Sequence, residues 1–75
     1  MHLYNHVEPR PAQDIIALWT RACELNDRDG CRNMGVMRRD GSLVPRNQAL
    51  AVSFFQKACQ LGFEPACSEP GVQTP

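Results

Sequence analysis

Four cysteines stand in two pairs of equal spacing, and the pairs are one period apart. Cys23 and Cys31 are separated by eight positions, as are Cys59 and Cys67, and the second pair follows the first by 36. Self-similarity at a fixed period of roughly 20–50 residues marks a repeat architecture. At this offset Pro9-Arg10 falls on Pro45-Arg46, Ala22-Cys23 on Ala58-Cys59, and Leu25 on Leu61. Leu18 meets Phe54, Trp19 meets Phe55, Ile16 meets Val52 and Asn26 meets Gly62 in the same register. Identities, residue character and cysteine spacing agree in one alignment, which chance does not readily supply.

The period is filled by helices. From Gln13 to Leu25, the residues Ile15, Ile16, Leu18, Trp19, Ala22 and Cys23 recur at steps of three and four, and Pro11 suits a first turn. From Gln48 to Leu61, Ala51, Val52, Phe54, Phe55, Ala58 and Cys59 repeat the pattern. Asn47 is a good N-cap, and Gly62 is a good residue just beyond the C-terminus because it adopts positive φ freely. Asn26, at the equivalent place in the first unit, tolerates the same conformation. Between these, Gly30 to Arg38 reads as a shorter helix capped by Asp29, with Cys31, Met34, Val36 and Met37 as its apolar contacts. Gly35 inside that helix costs up to about 1 kcal/mol against Ala, so a neighbouring helix is expected to pack closely there. Asp40 to Pro45 is a connecting loop, and the helical pattern restarts at Glu64-Pro65-Ala66-Cys67.

Size and charge exclude several roles. Seventy-five residues bury too little apolar surface to be very stable without a staple. Net charge is zero, and the one basic cluster, Arg38-Arg39, is answered by Asp40, so nothing argues for nucleic acid or an anionic membrane surface. No run reaches the roughly 20 apolar residues of a membrane span, and residues 1–6 lack the pattern of a signal peptide.

The string Gly41-Ser42-Leu43-Val44-Pro45-Arg46-Asn47, followed by Ala51, Phe54-Phe55, Lys57-Ala58-Cys59, Leu61-Gly62 and Cys67, resembles the Sel-one-like repeat. That repeat is a two-helix relative of the tetratricopeptide repeat. The cysteine spacing is similar to that of its cysteine-rich Hcp-type branch, in which each repeat carries one disulfide. The resemblance covers about residues 9–67. The family usually has Gly where Leu43 stands, Asp where Asn47 stands, and a small residue where Ile15 stands. It also strings many units together. Here the sequence supplies the second helix of one unit, a complete unit at about 30–62 and the first residues of the next, so a truncated member, or one whose open ends are covered by something else, is expected.

Three readings of the cysteines stay open. If Cys23 ends one helix and Cys31 opens the next, a short turn brings their Cα atoms within the roughly 4.4–6.8 Å of a disulfide, and the same holds for Cys59 and Cys67. Reduced, buried thiols acting as small hydrophobes are the second reading. A zinc site is the third, although structural zinc prefers cysteines two to four residues apart. The histidines His2 and His6 have metal-like spacing, but Pro9 and Pro11 disfavour a helix there, and a solvated terminus explains them better. Trp19, Phe54, Phe55 and Phe63 could line a groove. Their place on the apolar stripes favours packing between helices.

Members of the resembled branch have been described as penicillin-binding or β-lactamase-like. Serine β-lactamases use a Ser-x-x-Lys pair. Three residues after Ser42, Ser53 and Ser68 stand Pro45, Gln56 and Gly71, so that pair is absent. No catalytic residue, metal or cofactor is expected.

The expectation is therefore an all-α chain of antiparallel helix hairpins, an α-solenoid fragment with disulfides within repeats. Residues 1–10 form an N-terminal extension, residues 11–67 the repeat region, and residues 68–75 a frayed polar tail. The leading function is non-catalytic binding of a protein or peptide. A β-lactamase-like enzyme and a non-functional remnant of a longer repeat protein are the alternatives. If the family arrangement holds, the helix from Gly30 to Arg38 lines the concave face, with Asn33, Val36 and Met37 as contact candidates. Self-association through open repeat ends is a further expectation. Cysteine usage and the resemblance place the chain in the periplasm or outside the cell, in tension with the missing export signal.

Overall fold

The computed structural model describes residues 12–73; His2, His6 and the N-terminal extension lie outside the described residues. Helix α1 spans Ala12–Glu24, α2 Arg28–Asp40, α3 Gln48–Gln60 and α4 Glu64–Cys67, with no strand among the described residues. Moving α1 along by 36 positions gives the bounds of α3, and α4 begins 36 positions after α2. The repeat seen in the sequence is thus a repeat of structure. Consecutive helices pack as antiparallel neighbours, α1 on α2, α2 on α3 and α3 on α4.

Local chemistry stops α1 and α3 in the same way. Asn26 has φ 67° and Gly62 has φ 101°. In the first unit the Asn26 N–H donates to Cys23 O and the Asp27 N–H to Ala22 O. In the second the Gly62 N–H donates to Cys59 O and the Phe63 N–H to Ala58 O. This paired bonding is the Schellman arrangement, which satisfies carbonyls that a helix end would otherwise orphan. At the other end of α3, the Leu50 N–H donates to Asn47 Oδ1 at 3.0 Å, so Asn47 is the N-cap.

Two sequence expectations need correction. Helix α2 is longer than Gly30 to Arg38. Asp27 caps it, accepting from the Asp29 N–H at 2.9 Å, and Asp29 lies in the first turn, where a negative charge suits the helix dipole. The two ends of α2 are polar, so apolar spacing gave no sign of them. The segment after Cys67 is not frayed as far as Gln73. Val72 packs against the core, and Glu69 bonds Arg39 at 3.0 Å. The Gln56 side chain donates to Gln73 O at 2.6 Å and accepts from the Gln73 N–H at 2.8 Å. Pro70 explains why α4 stops while α2 continues. It cannot donate to the carbonyl four residues back, and its ring crowds that carbonyl.

The core is small and built largely of small side chains. One cluster joins Cys23, Cys31, Ala51, Phe55, Ala58, Cys59 and Ala66. The other joins Met34, Met37 and Val44, with Ile16, Trp19 and Phe54 packed against it. Among the buried residues of these clusters Phe55 is the single aromatic ring. Gly35 faces it: a Cβ built there would lie 2.8 Å from the ring, which is the close approach the sequence implied. Gly30 sits as tightly on α1, where a Cβ would meet Ala22 Cβ at 2.6 Å and the Cys23 nitrogen at 2.8 Å. The side chains at the cores of both hairpin turns are the cystines themselves.

Leu43 holds φ 68° in the loop between α2 and α3 while its side chain is 52% exposed. A left-handed backbone costs a non-glycine residue about 1–2 kcal/mol, part of which glycine returns through its greater freedom when unfolded. Leu43→Gly is therefore expected to stabilise the fold by about 0.5–1 kcal/mol. Thermal unfolding followed by circular dichroism reads this as a Tm rise of a few degrees; an unchanged or lower Tm contradicts it.

Candidate functional site

The two hairpin turns bring the cysteines together. Cys23 and Cys31 are joined, as are Cys59 and Cys67, with Cα separations of 4.5 and 4.9 Å. No cysteine is left free. All four sulfurs are engaged in these two pairs, which is the first of the three readings of the cysteines. Cys31 is completely buried and Cys67 is half-buried.

Helix α2 lies between α1 and α3 and turns one arc outward. Its buried positions are Gly30, Cys31, Met34, Gly35 and Met37. The remaining arc carries Asp29, Arg32, Asn33, Val36, Arg39 and Asp40. Asn33 and Val36 are half-buried on it. Met37 sits in the second core cluster with Met34 and Val44, at 7% exposure. The structure thus brings Asn33 and Val36 to a surface and puts Met37 beneath it.

Arginines give this surface its charge and stiffness. The Arg32 guanidinium stands 5.8 Å from the centre of the Phe63 ring, and that of Arg39 stands 5.7 Å from Phe55. Both lie within cation–π range. Arg39 also bonds Asp40 at 2.9 Å and Glu69 at 3.0 Å. The hydrogen bond from Arg39 holds the Asp40 carboxyl below the usual range, and the same bond raises the Arg39 guanidinium further. Arg28 donates to Gly62 O at 3.4 Å. Each arginine bridges α2 to the turn or segment after α3. Apart from Arg39 with its neighbour Asp40, none of these pairings was visible in the sequence, because the partners are 16 to 34 positions apart and no local pattern links them.

The loop after α2 is held by its polar groups. Arg38 donates to Pro45 O at 3.1 Å, Arg46 Nε to Arg39 O at 3.0 Å, and the Asn47 N–H to Arg38 O at 2.8 Å. The Arg38 and Arg39 carbonyls near the end of α2 therefore have partners. Ser42, Ser53 and Ser68 are all exposed. The chain's single lysine is Lys57, which follows Ser53 by four positions rather than three.

Residues 28–63 match the family model of the Sel1 repeat. The match begins on the first residue of α2 and ends one residue before α4, so it frames one complete structural unit. Comparison with curated proteins gave no match, and neither did comparison with solved structures.

Proposed function

We infer, from a chain that carries a Sel1 repeat over residues 28–63, that it acts as a protein-interaction module whose contact surface is the outward arc of α2. Sel1 repeats generally serve protein–protein interaction, which supports the module. The single observation that supports the surface is the arrangement on α2: a half-buried Val36 ringed by Asp29, Arg32, Asn33 and Arg39. An apolar centre with a polar rim is how a binding patch is usually built. Arg32 and Arg39 are already braced on Phe63 and Phe55, so binding orders fewer side chains. In this reading Asn33 and Val36 touch the partner, and Met37 supports them from below.

The partner is a protein or peptide segment with an apolar anchor for Val36 and acidic or amide groups for the rim. The module works in an oxidising compartment outside the cytosol, since disulfides persist there. Among the described residues no helix is long and apolar enough to cross a membrane.

A displayed library of random peptides, panned against the oxidised chain, tests this. Selected peptides are expected to lose at least about tenfold in affinity to Val36→Asp, a loss of roughly 1.4 kcal/mol or more. They are expected to bind Leu43→Gly normally. Peptides that ignore Val36→Asp, or failure to select any binder, would sink the assignment.

A further inference from the structure

The two disulfides are alike in spacing and unlike in access. Cys23 and Cys31 are 4% and 0% exposed, and Cys59 is 5% exposed. Of the four cysteines, Cys67 alone is half-buried, and Ser68 beside it is exposed. Thiol–disulfide exchange needs a thiolate to reach one sulfur of the bond, so it starts where a cysteine is accessible. The helices that carry the two bridges differ as well. Cys31 lies in the 13 residues of α2, where Gly30 brings the backbone hard against Ala22 and Cys23. Cys67 closes α4, which has four residues. A helix that short does not hold its shape in water by itself. Its bonds reach only three residues back, from the Ala66 N–H to Phe63 O at 3.1 Å and from the Glu69 N–H to Ala66 O at 3.2 Å. Such bonds have poorer geometry than those of a full α-helix.

The Cys59–Cys67 bridge anchors a strap, residues 64–73, that lies along α3. Ala66 enters the core cluster and Val72 packs against it. Gly71 lies on Val52, where a Cβ would stand 3.0 Å from Val52 Cγ2. Glu69 bonds Arg39, and Gln56 holds the Gln73 backbone by two bonds. The polar contacts are near the surface, where each contributes little alone. The bridge restricts the conformations open to a released strap and so favours the seated one. Segments held by few buried apolar groups are the ones that open locally, without global unfolding. Opening α4 exposes Cys59–Cys67; exposing Cys23–Cys31 requires α1 and α2 to part.

We propose that Cys59–Cys67 is a redox latch: a dithiol reductant opens it first, and its opening releases residues 64–73 from α3 while α1, α2 and α3, still bridged by Cys23–Cys31, stay packed. A thiolate of the dithiol attacks Cys67 Sγ and forms a mixed disulfide. The Cys59–Cys67 bond breaks, and Cys59 Sγ leaves as a thiolate and takes up a proton as α4 lifts and water enters. The second thiol of the reductant then attacks its own sulfur in the mixed disulfide and frees Cys67 as a thiol. The protein gains two electrons and two protons, and the dithiol ends as a disulfide. Release uncovers Val52 and Gln56 and frees Arg39 from Glu69. In an oxidising compartment the latch stays shut. The latch does not rest on the function assigned to the outward arc of α2.

The test treats the full oxidised chain with dithiothreitol in the cold, quenches samples with an alkylating agent and locates the label by peptide mapping. Cys59 and Cys67 are expected to be labelled at least about tenfold faster than Cys23 and Cys31, since local opening outruns global unfolding. Amide hydrogen exchange on the singly reduced species reads the release. Residues 64–73 are expected to lose protection while α1 and α2 keep theirs, and Cys59→Ala with Cys67→Ala is expected to show the same pattern without reductant. Glu69→Gln removes the ion pair with Arg39 and is expected to speed labelling of Cys59 and Cys67 by about two- to fivefold, leaving Cys23 and Cys31 unchanged. Three results would overturn the proposal. They are labelling of all four cysteines at one rate, labelling of Cys23 and Cys31 first, or reduction of Cys59–Cys67 with residues 64–73 still protected.

Discussion

Reduction of both disulfides is expected to unfold the protein at 37 °C, removing most of its far-ultraviolet helical signal. Each bridge closes a loop of eight residues, and limiting the unfolded chain in this way stabilises by about 2.5 kcal/mol per bridge in the entropy model. Two bridges then contribute about 5 kcal/mol. A core in a domain of this size rarely supplies more than about 3–5 kcal/mol by itself. The core here is rich in alanine, glycine contacts and cystine, with few large side chains. Reduction leaves the sulfurs buried as small apolar groups and creates no buried charge, so the loss acts through the unfolded state. Urea titrations of the oxidised chain, of Cys59→Ala with Cys67→Ala, and of the fully reduced chain are expected to give a stepwise fall in stability. Equal midpoints for oxidised and reduced chains would show that packing alone holds the fold.

The second large effect is expected at the contact between α2 and α3. Phe55→Ala removes the one buried aromatic ring among the described residues and should cost about 3–5 kcal/mol. Gly35→Ala should cost about 1–3 kcal/mol, because its methyl would lie 2.8 Å from that ring. The combination discriminates between explanations. Without the ring, the methyl meets open space, and alanine is the better helix former by about 1 kcal/mol. Gly35→Ala is thus expected to change sign in the Phe55→Ala background, as urea midpoints in a sulfate-stabilised buffer would show. Simple additivity of the two losses would mean that Gly35 is not there for Phe55.

Much of this was readable before the structure. The period of 36 located both disulfides and the matching helices α1 and α3, because turn chemistry at Asn26 and Gly62 and the cap at Asn47 agree with the apolar stripes. The ends of α1 and α3 differ from expectation by one residue, since Leu25 and Leu61 continue the stripe but already lie in the turn. Gly35 announced a close neighbour through its cost, though nothing local said that the neighbour was Phe55. Other features were hidden for physical reasons. Asp27 and Asp29 are chemically equal candidates for the cap of α2, and only backbone geometry separates them. Met37 looks like a surface residue beside Val36 until Ile16, Trp19 and Phe54 close over the methionine cluster. Val72 and Gln73 carry no periodic signal, yet Gln56 and the core hold them in place. The resemblance to a cysteine-rich branch of the family gave the right expectation for the cystines, while the match itself extends to the Sel1 repeat and no further.

Peptide mapping without reductant tests the stapled repeat most directly. Trypsin cuts after Arg28, between Cys23 and Cys31, and chymotrypsin cuts after Phe63, between Cys59 and Cys67. The expected result is two linked peptide pairs, Cys23 with Cys31 and Cys59 with Cys67, and a mass that rises by four hydrogens on reduction. Four free thiols, or a cross-link between the two units such as Cys31 with Cys59, would contradict a repeat closed by one disulfide per hairpin turn.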